Sequence, residues 1–286
     1  MTEVPPLLQV RQLSMEFGGL RALHGLDMEV GAGEIVAVIG PNGAGKTTFF
    51  NCLTGIYTPT EGDILLSRPG RTSERLNDLK PNQITEKGLA RTFQNIRLFP
   101  EMTVLENVMI GCHCRHRAGI LGAIFRTQAI RAEEAIIVER SYAILKHLGI
   151  ALYADELAKN LPYGAQRYLE IGRALATEPL LLLLDEPAAG LNVKETAELD
   201  ALILWIRERY GLAILLIEHD MKLVMSLSDR IYVMDYGEKI AHGTPAEVRA
   251  NPAVIKAYLG DEDSVQSPLQ SDGDFVQSPL GSDGDA

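Results

Sequence analysis

The chain of 286 residues is short of cysteine, with only Cys52, Cys112 and Cys114. Three thiols cannot all pair, and no disulfide framework fits a chain this long, which points to a reducing compartment. A long apolar run is also missing. No stretch reaches the roughly 18 residues that would mark a membrane-spanning helix, so any membrane role has to come through a partner. The opening residues, MTEVPPLLQV, have no basic region followed by an apolar one, and no signal peptide is expected. Positive charge is scarce too: 27 Lys and Arg face 38 Asp and Glu, for a net charge of −11. Seven of those acids lie in residues 261–286, which hold no Lys or Arg; without them the body stands at −4. Such a body lacks the basic footprint of a general nucleic-acid binder, and nucleic acid is not an expected partner.

What is present is enough apolar material for a core. Hydrophobic residues make up 46% of the chain and charged residues 23%, as in globular proteins. The length suits one large domain, or a domain with a lobe inserted. Three apolar runs end in polar groups: IVAVIG (35–40) leads into a Gly-rich loop, LLLLL (180–184) into Asp185-Glu186, and AILLI (213–217) into Glu218-His219. Runs like these read as strands buried on both faces of a parallel sheet. Functional groups gather where such strands end, so three distant segments are expected to meet. The first ~30 residues alternate more and contain glycines; MEFGGLRALHGLDMEV reads as short antiparallel strands. The middle, roughly 96–160, has helical spacing, as in RAEEAIIVERSYAILKHLGI, and reads as a helical lobe inserted between two halves of the strand-rich core.

The tail is different again. VQSPLQSDGDF (265–275) is followed by VQSPLGSDGDA (276–286), a tandem repeat rich in Ser, Pro, Gly and Asp. Two such units cannot bury a core, and the segment is expected to be disordered. Its plain role is a solvated tail; the Ser-Pro pairs at Ser267 and Ser278 leave a regulatory role open.

GPNGAGKTT (40–48) fits the phosphate-loop pattern G-x-x-x-x-G-K-[ST], between a strand-like run and an apolar helical one. The glycines let the backbone curl so that N–H groups and a helix N-terminus face phosphates. The binding candidates are Gly40, Asn42, Gly43, Ala44, Gly45, Lys46, Thr47 and Thr48. Lys46 is expected to reach the β- and γ-phosphates, and Thr47 to offer its hydroxyl to Mg²⁺. In LLLLLDEP, Asp185 is the second candidate for Mg²⁺, and Glu186 is a candidate general base for an attacking water. Adjacent carboxylates at a strand end also cap helices, but the phosphate loop favours the catalytic reading. The cluster Cys112, His113, Cys114 and His116 is too compressed for a usual zinc site and reads as packing.

The order of motifs resembles the ATP-binding cassette of ABC transporters, over Leu7 to Leu259. Gln94 in ARTFQNIRLFP matches the family's Q-loop glutamine, LPYGAQRYLEIGRAL its signature segment, Gly190 to Asn192 its D-loop, His219 in LLIEHD its switch histidine, and Phe17 the aromatic that stacks on adenine. The resemblance implies an α/β fold: a P-loop NTPase core with an antiparallel β subdomain and an inserted α-helical subdomain. It places the cassette at 1–260 and the helical subdomain at about 96–176; composition alone sets off the acidic tail at 261–286. It implies ATP and Mg²⁺ as cofactors, catalytic roles for Glu186, His219, Gln94 and Lys46, and Gln94 as a further metal ligand.

The signature departs from the commonest L-S-G-G-Q. Pro162 stands for Ser, Tyr163 for the first Gly, and Ala165 for Gln, with Gln166 following. In the family this loop caps the γ-phosphate of ATP held by the other subunit, and Pro162 cannot supply the serine's donor. The N–H groups of Gly164, Ala165 and Gln166 remain to face that phosphate at a helix end, with Gly164 and Gln166 as the site candidates. The pattern Y-G-x-Q-R-x-L-E-I, with DEPAAGLN and TFQNIRLFPEMTVLENVMIG, resembles the subgroup that serves bacterial importers of branched-chain or neutral amino acids. That implies a peripheral subunit on the cytoplasmic face of the inner membrane. Its implied partners are two permeases, a second ATP-binding subunit that is usually different, and, indirectly, a periplasmic solute-binding protein. The same motifs also serve soluble assembly or translation factors, exporters and non-catalytic nucleotide-binding modules.

Overall fold

The computed structural model describes residues 5–68, 72–112, 114 and 128–262. In chain order its elements are β1 (Leu8–Phe17), β2 (Leu20–Val30), β3 (Ile35–Ile39), α1 (Lys46–Leu53), β4 (Glu61–Leu66), β5 (Glu74–Arg75), α2 (Pro81–Glu86) and β6 (Leu89–Arg91). Then come α3 (Val104–Cys112), α4 (Gln128–His147), α5 (Tyr163–Leu175), β7 (Leu181–Asp185), α6 (Val193–Tyr210), β8 (Ala213–Ile217), α7 (Met221–Leu227), β9 (Arg230–Asp235), β10 (Glu238–Gly243), α8 (Pro245–Arg249) and α9 (Pro252–Glu262). The acidic repeat, Ser267, Ser278, His113 and His116 lie outside the described residues.

Six strands form the main sheet, in the order β10-β9-β3-β8-β7-β6. β3, β8, β7 and β6 run parallel, β9 is parallel to β3, and β10 returns antiparallel to β9. Every residue of β3, β7 and β8 is buried, the signature of strands covered on both faces. Because side chains alternate, each strand feeds two cores. Ile35, Leu182, Leu184, Ile214 and Leu216 join the side packed by α5, α6 and α7. Val36, Val38, Leu181, Leu183 and Leu215 join the side holding Phe49 and Phe50 of α1 and the inner residues of β1 and β2.

The second sheet, β2-β1-β4-β5, is antiparallel. Its first two strands are long, 10 and 11 residues, where short ones were expected. Their hairpin closes on Gly18-Gly19, both at positive φ, and register shifts along β1 keep the strands paired while they bend. The segment from Thr92 to Leu180 holds α3, α4 and α5. Among the described residues it holds no named strand, and an isolated bridge joins Thr103 and Leu157. β6, β9 and β10 were not read from the sequence. β6 is three residues long and β10 is half-buried, so neither shows a continuous apolar run.

Candidate functional site

Parallel pairing brings the three polar strand ends together. Asp185, the last residue of β7, stands opposite Ile217, the last of β8, and Ile217 stands opposite Val38 near the end of β3. From Ile39 the chain turns through Gly40 to Gly45 into α1, with Gly40, Gly43 and Gly45 at positive φ. Two of these glycines are also fixed by close approach: a Cβ on Gly40 would lie 2.0 Å from the Met234 carbonyl oxygen, and one on Gly45 2.7 Å from that of Ala22. The loop is therefore wedged between β9 and β2. Lys46, the first residue of α1, is buried, and its Nζ donates to the carbonyls of Gly40 (2.7 Å) and Pro41 (2.9 Å). Burial lowers its pKa, and the neighbouring carboxylates of Glu186 and Asp185 oppose that shift. Thr47 and Asn42 are exposed, Thr48 is half-buried and Ala44 is buried.

Glu186 follows Asp185 in the left-handed region, at φ 47°, with its N–H held by the Ile217 carbonyl at 2.9 Å. This turn aims its carboxylate away from the strand. Gln94 Nε2 donates to Oε2 at 2.6 Å, and His219 Nε2 lies 2.9 Å from Oε1. Two residues named from separate motifs thus converge on the carboxylate of a third.

Asp185 has a partner that sequence reasoning missed. Arg91, at the end of β6, donates from Nη2 to Asp185 Oδ2 at 2.6 Å, with both side chains nearly buried. Its Nη1 donates to Asn51 Oδ1 at 2.7 Å, and its guanidinium lies over the rings of Phe50 and Phe93. This arrangement ties β7 to α1 and leaves Asp185 Oδ1 for a further contact. Glu218 was named from the sequence only as a polar strand end, with no role of its own. It is buried, accepts the N–H of Ala188 at 2.8 Å and of His219 at 3.1 Å, and so joins the turn after Glu186 to the switch loop. Burial raises its pKa, only partly offset by backbone N–H donors. A polar residue directly after a buried run was the available signal for Glu218; nothing in a three-residue strand signalled Arg91.

The signature helix α5 starts at Tyr163 with Pro162 as its N-cap. The N–H of Gln166 is already bonded to the Pro162 carbonyl at 3.0 Å, and its side chain donates to the Leu161 carbonyl at 2.9 Å. Gln166 is thus turned into its own loop, unlike the expectation that it faces a phosphate. Gly164 precedes the first helical bond and keeps its N–H at the helix end. Asn192 of the D-loop caps α6, accepting from the N–H groups of Lys194 and Glu195, both at 3.0 Å. Phe17 ends β1 at 40% exposure, edge-on to Tyr57 with ring centroids 5.1 Å apart. No group of three or more metal-binding side chains of the His, Cys, Asp or Glu type occurs among the described residues. Burial pushes the Cys52 thiol up to about 12, so it is no ready nucleophile.

Comparison with known proteins decides the family. Residues 23–189 match the ABC transporter family, more than half of the chain. The chain belongs to it. Residues 238–264 of this cassette also match the family described as branched-chain amino acid ATP-binding cassette transporter. The cassette is 50% identical over 256 residues to the high-affinity branched-chain amino acid transport ATP-binding protein LivG of Escherichia coli K12, covering 90% of this chain and 98% of that one. It is 48% identical, with the same coverage, to BraF of Pseudomonas aeruginosa, which carries the same description. Among solved structures, the ADP conformation of an ATP-binding cassette of an ABC transporter superposes with a TM-score of 0.76 at 32% identity, over 90% of this chain and all of that one. The fold is accordingly the ABC ATPase cassette expected from the motifs, and the chain is a nucleotide-binding ATPase of this family. No described helix of the cassette is long and apolar enough to cross a membrane.

Proposed function

We propose that this cassette powers uptake of branched-chain or other neutral amino acids. It would be one of two ATP-binding subunits, paired as unlike chains beneath two permeases on the cytoplasmic face of the membrane, with a periplasmic protein delivering the solute. Residues 1–260 form the cassette, about 96–176 its helical subdomain, and 261–286 an appended acidic tail. ATP hydrolysis is supported by the convergence of Gln94 and His219 on the Glu186 carboxylate, 2.6 and 2.9 Å away, beside the phosphate loop, and the solute class by the 50% identity to LivG.

In the proposed mechanism ATP lies on Gly40 to Thr48, with adenine against Phe17. Lys46 exchanges the carbonyls of Gly40 and Pro41 for phosphate oxygens. The donor set suits Mg²⁺, which prefers hard oxygen ligands: the Thr47 hydroxyl, the free Oδ1 of Asp185, and the side-chain oxygen of Gln94. The cation supplies charge neutralisation at the phosphates. Glu186 orients and deprotonates the attacking water, and its left-handed backbone turn, held to Ile217, keeps that carboxylate in place. His219 holds the γ-phosphate geometry. The partner subunit's signature helix closes the site through N–H groups about Gly164, without the serine donor, and this excludes bulk water. An isolated chain therefore turns over ATP slowly.

A tagged chain recovered from detergent-solubilised membranes tests this. Two permeases and a second cassette subunit should co-purify. Recovery only from the soluble fraction, with no membrane partner, would overturn the transport reading and favour a soluble assembly factor.

A further inference from the structure

Two loops that flank Glu186 come from distant parts of the chain, and one helix holds both. The first is the Q-loop. Arg167 of α5 is fully buried, and it donates from Nη1 to the Phe93 carbonyl at 2.7 Å and from Nη2 to the Gln94 carbonyl at 2.9 Å. Its ion-pair partner, Glu170, lies 2.9 Å away and almost fully buried. Glu170 accepts the N–H groups of Phe93 at 3.2 Å and Arg97 at 3.3 Å. The pair thus holds two carbonyls and two N–H groups of the segment that carries Gln94.

The second loop is the turn entering the D-loop. Tyr163, the first residue of α5, donates from its hydroxyl to the Ala189 carbonyl at 3.0 Å. Its ring covers Gly190, where a Cβ would come within 3.0 Å of Tyr163 Cε1. Arg167 Nη2 reaches the Tyr163 hydroxyl at 3.5 Å, which joins the two sets of contacts. A buried ion pair is a poor means to stability, since a well-packed apolar pair often does as well. It is a good means to direction, because a guanidinium and a carboxylate fix several backbone groups at once.

We propose that Arg167, Glu170 and Tyr163 are positioning residues that make the signature helix the common mount of the Q-loop and the D-loop turn, so that the helix sets the placement of Gln94 against Glu186. The inference rests on the reading of Glu186 as the base. Tyr163, which displaces the usual signature glycine, thereby gains a role within its own chain.

The deciding variant is the double substitution Arg167→Met with Glu170→Leu, which fills the space and removes the backbone contacts together. On the chain alone, the melting temperature and ATP affinity should stay close to wild type, and amide exchange at Phe93 and Arg97 should accelerate. In the assembled complex, turnover should fall about tenfold or more, as small misplacements of catalytic groups do, while KM for ATP changes little. Turnover at the wild-type level in this variant would mean a purely structural pair and overturn the proposal. Should that variant not fold, Tyr163→Phe keeps the ring and removes only the hydroxyl, with its bond to Ala189 and its contact from Arg167. Its kcat should fall with KM and melting temperature unchanged, and an unchanged kcat would equally overturn the proposal. A parallel Glu186→Gln complex separates the two readings. Normal turnover there removes the base assignment, while amide exchange on the chain alone still decides whether the mount exists.

Discussion

The strand ends and the signature helix both supply groups to this cassette, but by different physics. At the strand ends, position follows from burial. Strands covered on both faces must be apolar throughout, so the first polar residue marks the place where the sheet stops and chemistry starts. Asp185, Glu186, Glu218 and His219 sit there because Leu181–Leu184 and Ala213–Ile217 are fully buried. At the start of α5, position follows from side-chain contacts between segments. Tyr163 is fixed by Ala189 and Gly190, Arg167 by Phe93 and Gln94, and Gln166 by Leu161. A motif at a strand end keeps its meaning from residue type alone, whereas a motif at a helix start can be rewired by one substitution.

Substitutions at the strand ends should have the larger effects. Glu186→Gln should retain ATP binding and lower turnover by about 10²–10⁴-fold, the range for losing a general base. Single-turnover and binding measurements on the assembled complex would show it, and near-normal hydrolysis would remove Glu186 as the base. Arg91→Leu leaves Asp185 buried without its partner, which should cost about 3–5 kcal/mol of stability, seen by denaturant unfolding. Stability within the error of wild type would mean that Asp185 finds another partner. Lys46→Ala should weaken ATP binding by about 10- to 150-fold, as expected for one lost hydrogen bond to a charged group. Titration calorimetry on the chain alone reads this directly.

Smaller effects should mark the helix starts. Asn192→Ala removes the cap accepting from Lys194 and Glu195 and should cost about 1 kcal/mol. Glu218 is the exception among the strand ends, since it only braces two turns, and its effect should be smaller still. Its pKa is raised by burial, so folding binds its proton more tightly than the unfolded chain does. The stability this contributes is complete below the ordinary glutamate value of 4.5 and is lost as pH rises through the raised one. Melting temperature against pH should therefore fall across that window in wild type more than in Glu218→Gln. Parallel curves would show that Glu218 does not titrate there.

The buried strands, the phosphate loop and the converging carboxylates could be read in advance because each rests on a local rule. Apolar runs make β3, β7 and β8, and the glycines at 40 and 45 make a loop that no other residue fits. Other features stayed hidden. β6 is too short to show a pattern, and β10 is too exposed. Arg91 looked like any arginine, because its meaning lies in Asp185, 94 residues away. Gln166 belonged to a motif yet is turned inward, since its amide serves the helix that begins at Tyr163.

The sequence by itself determined the class of fold, the three strand ends and the phosphate chemistry they face, because burial and backbone conformation restrict residue type position by position. The tertiary structure alone decided which side chains hold which loops. Arg91 on Asp185, Glu218 between two turns, and α5 bracing both the Q-loop and the D-loop are pairings across long stretches of chain. Each exists only because the sheet closes and brings its two members within hydrogen-bond reach.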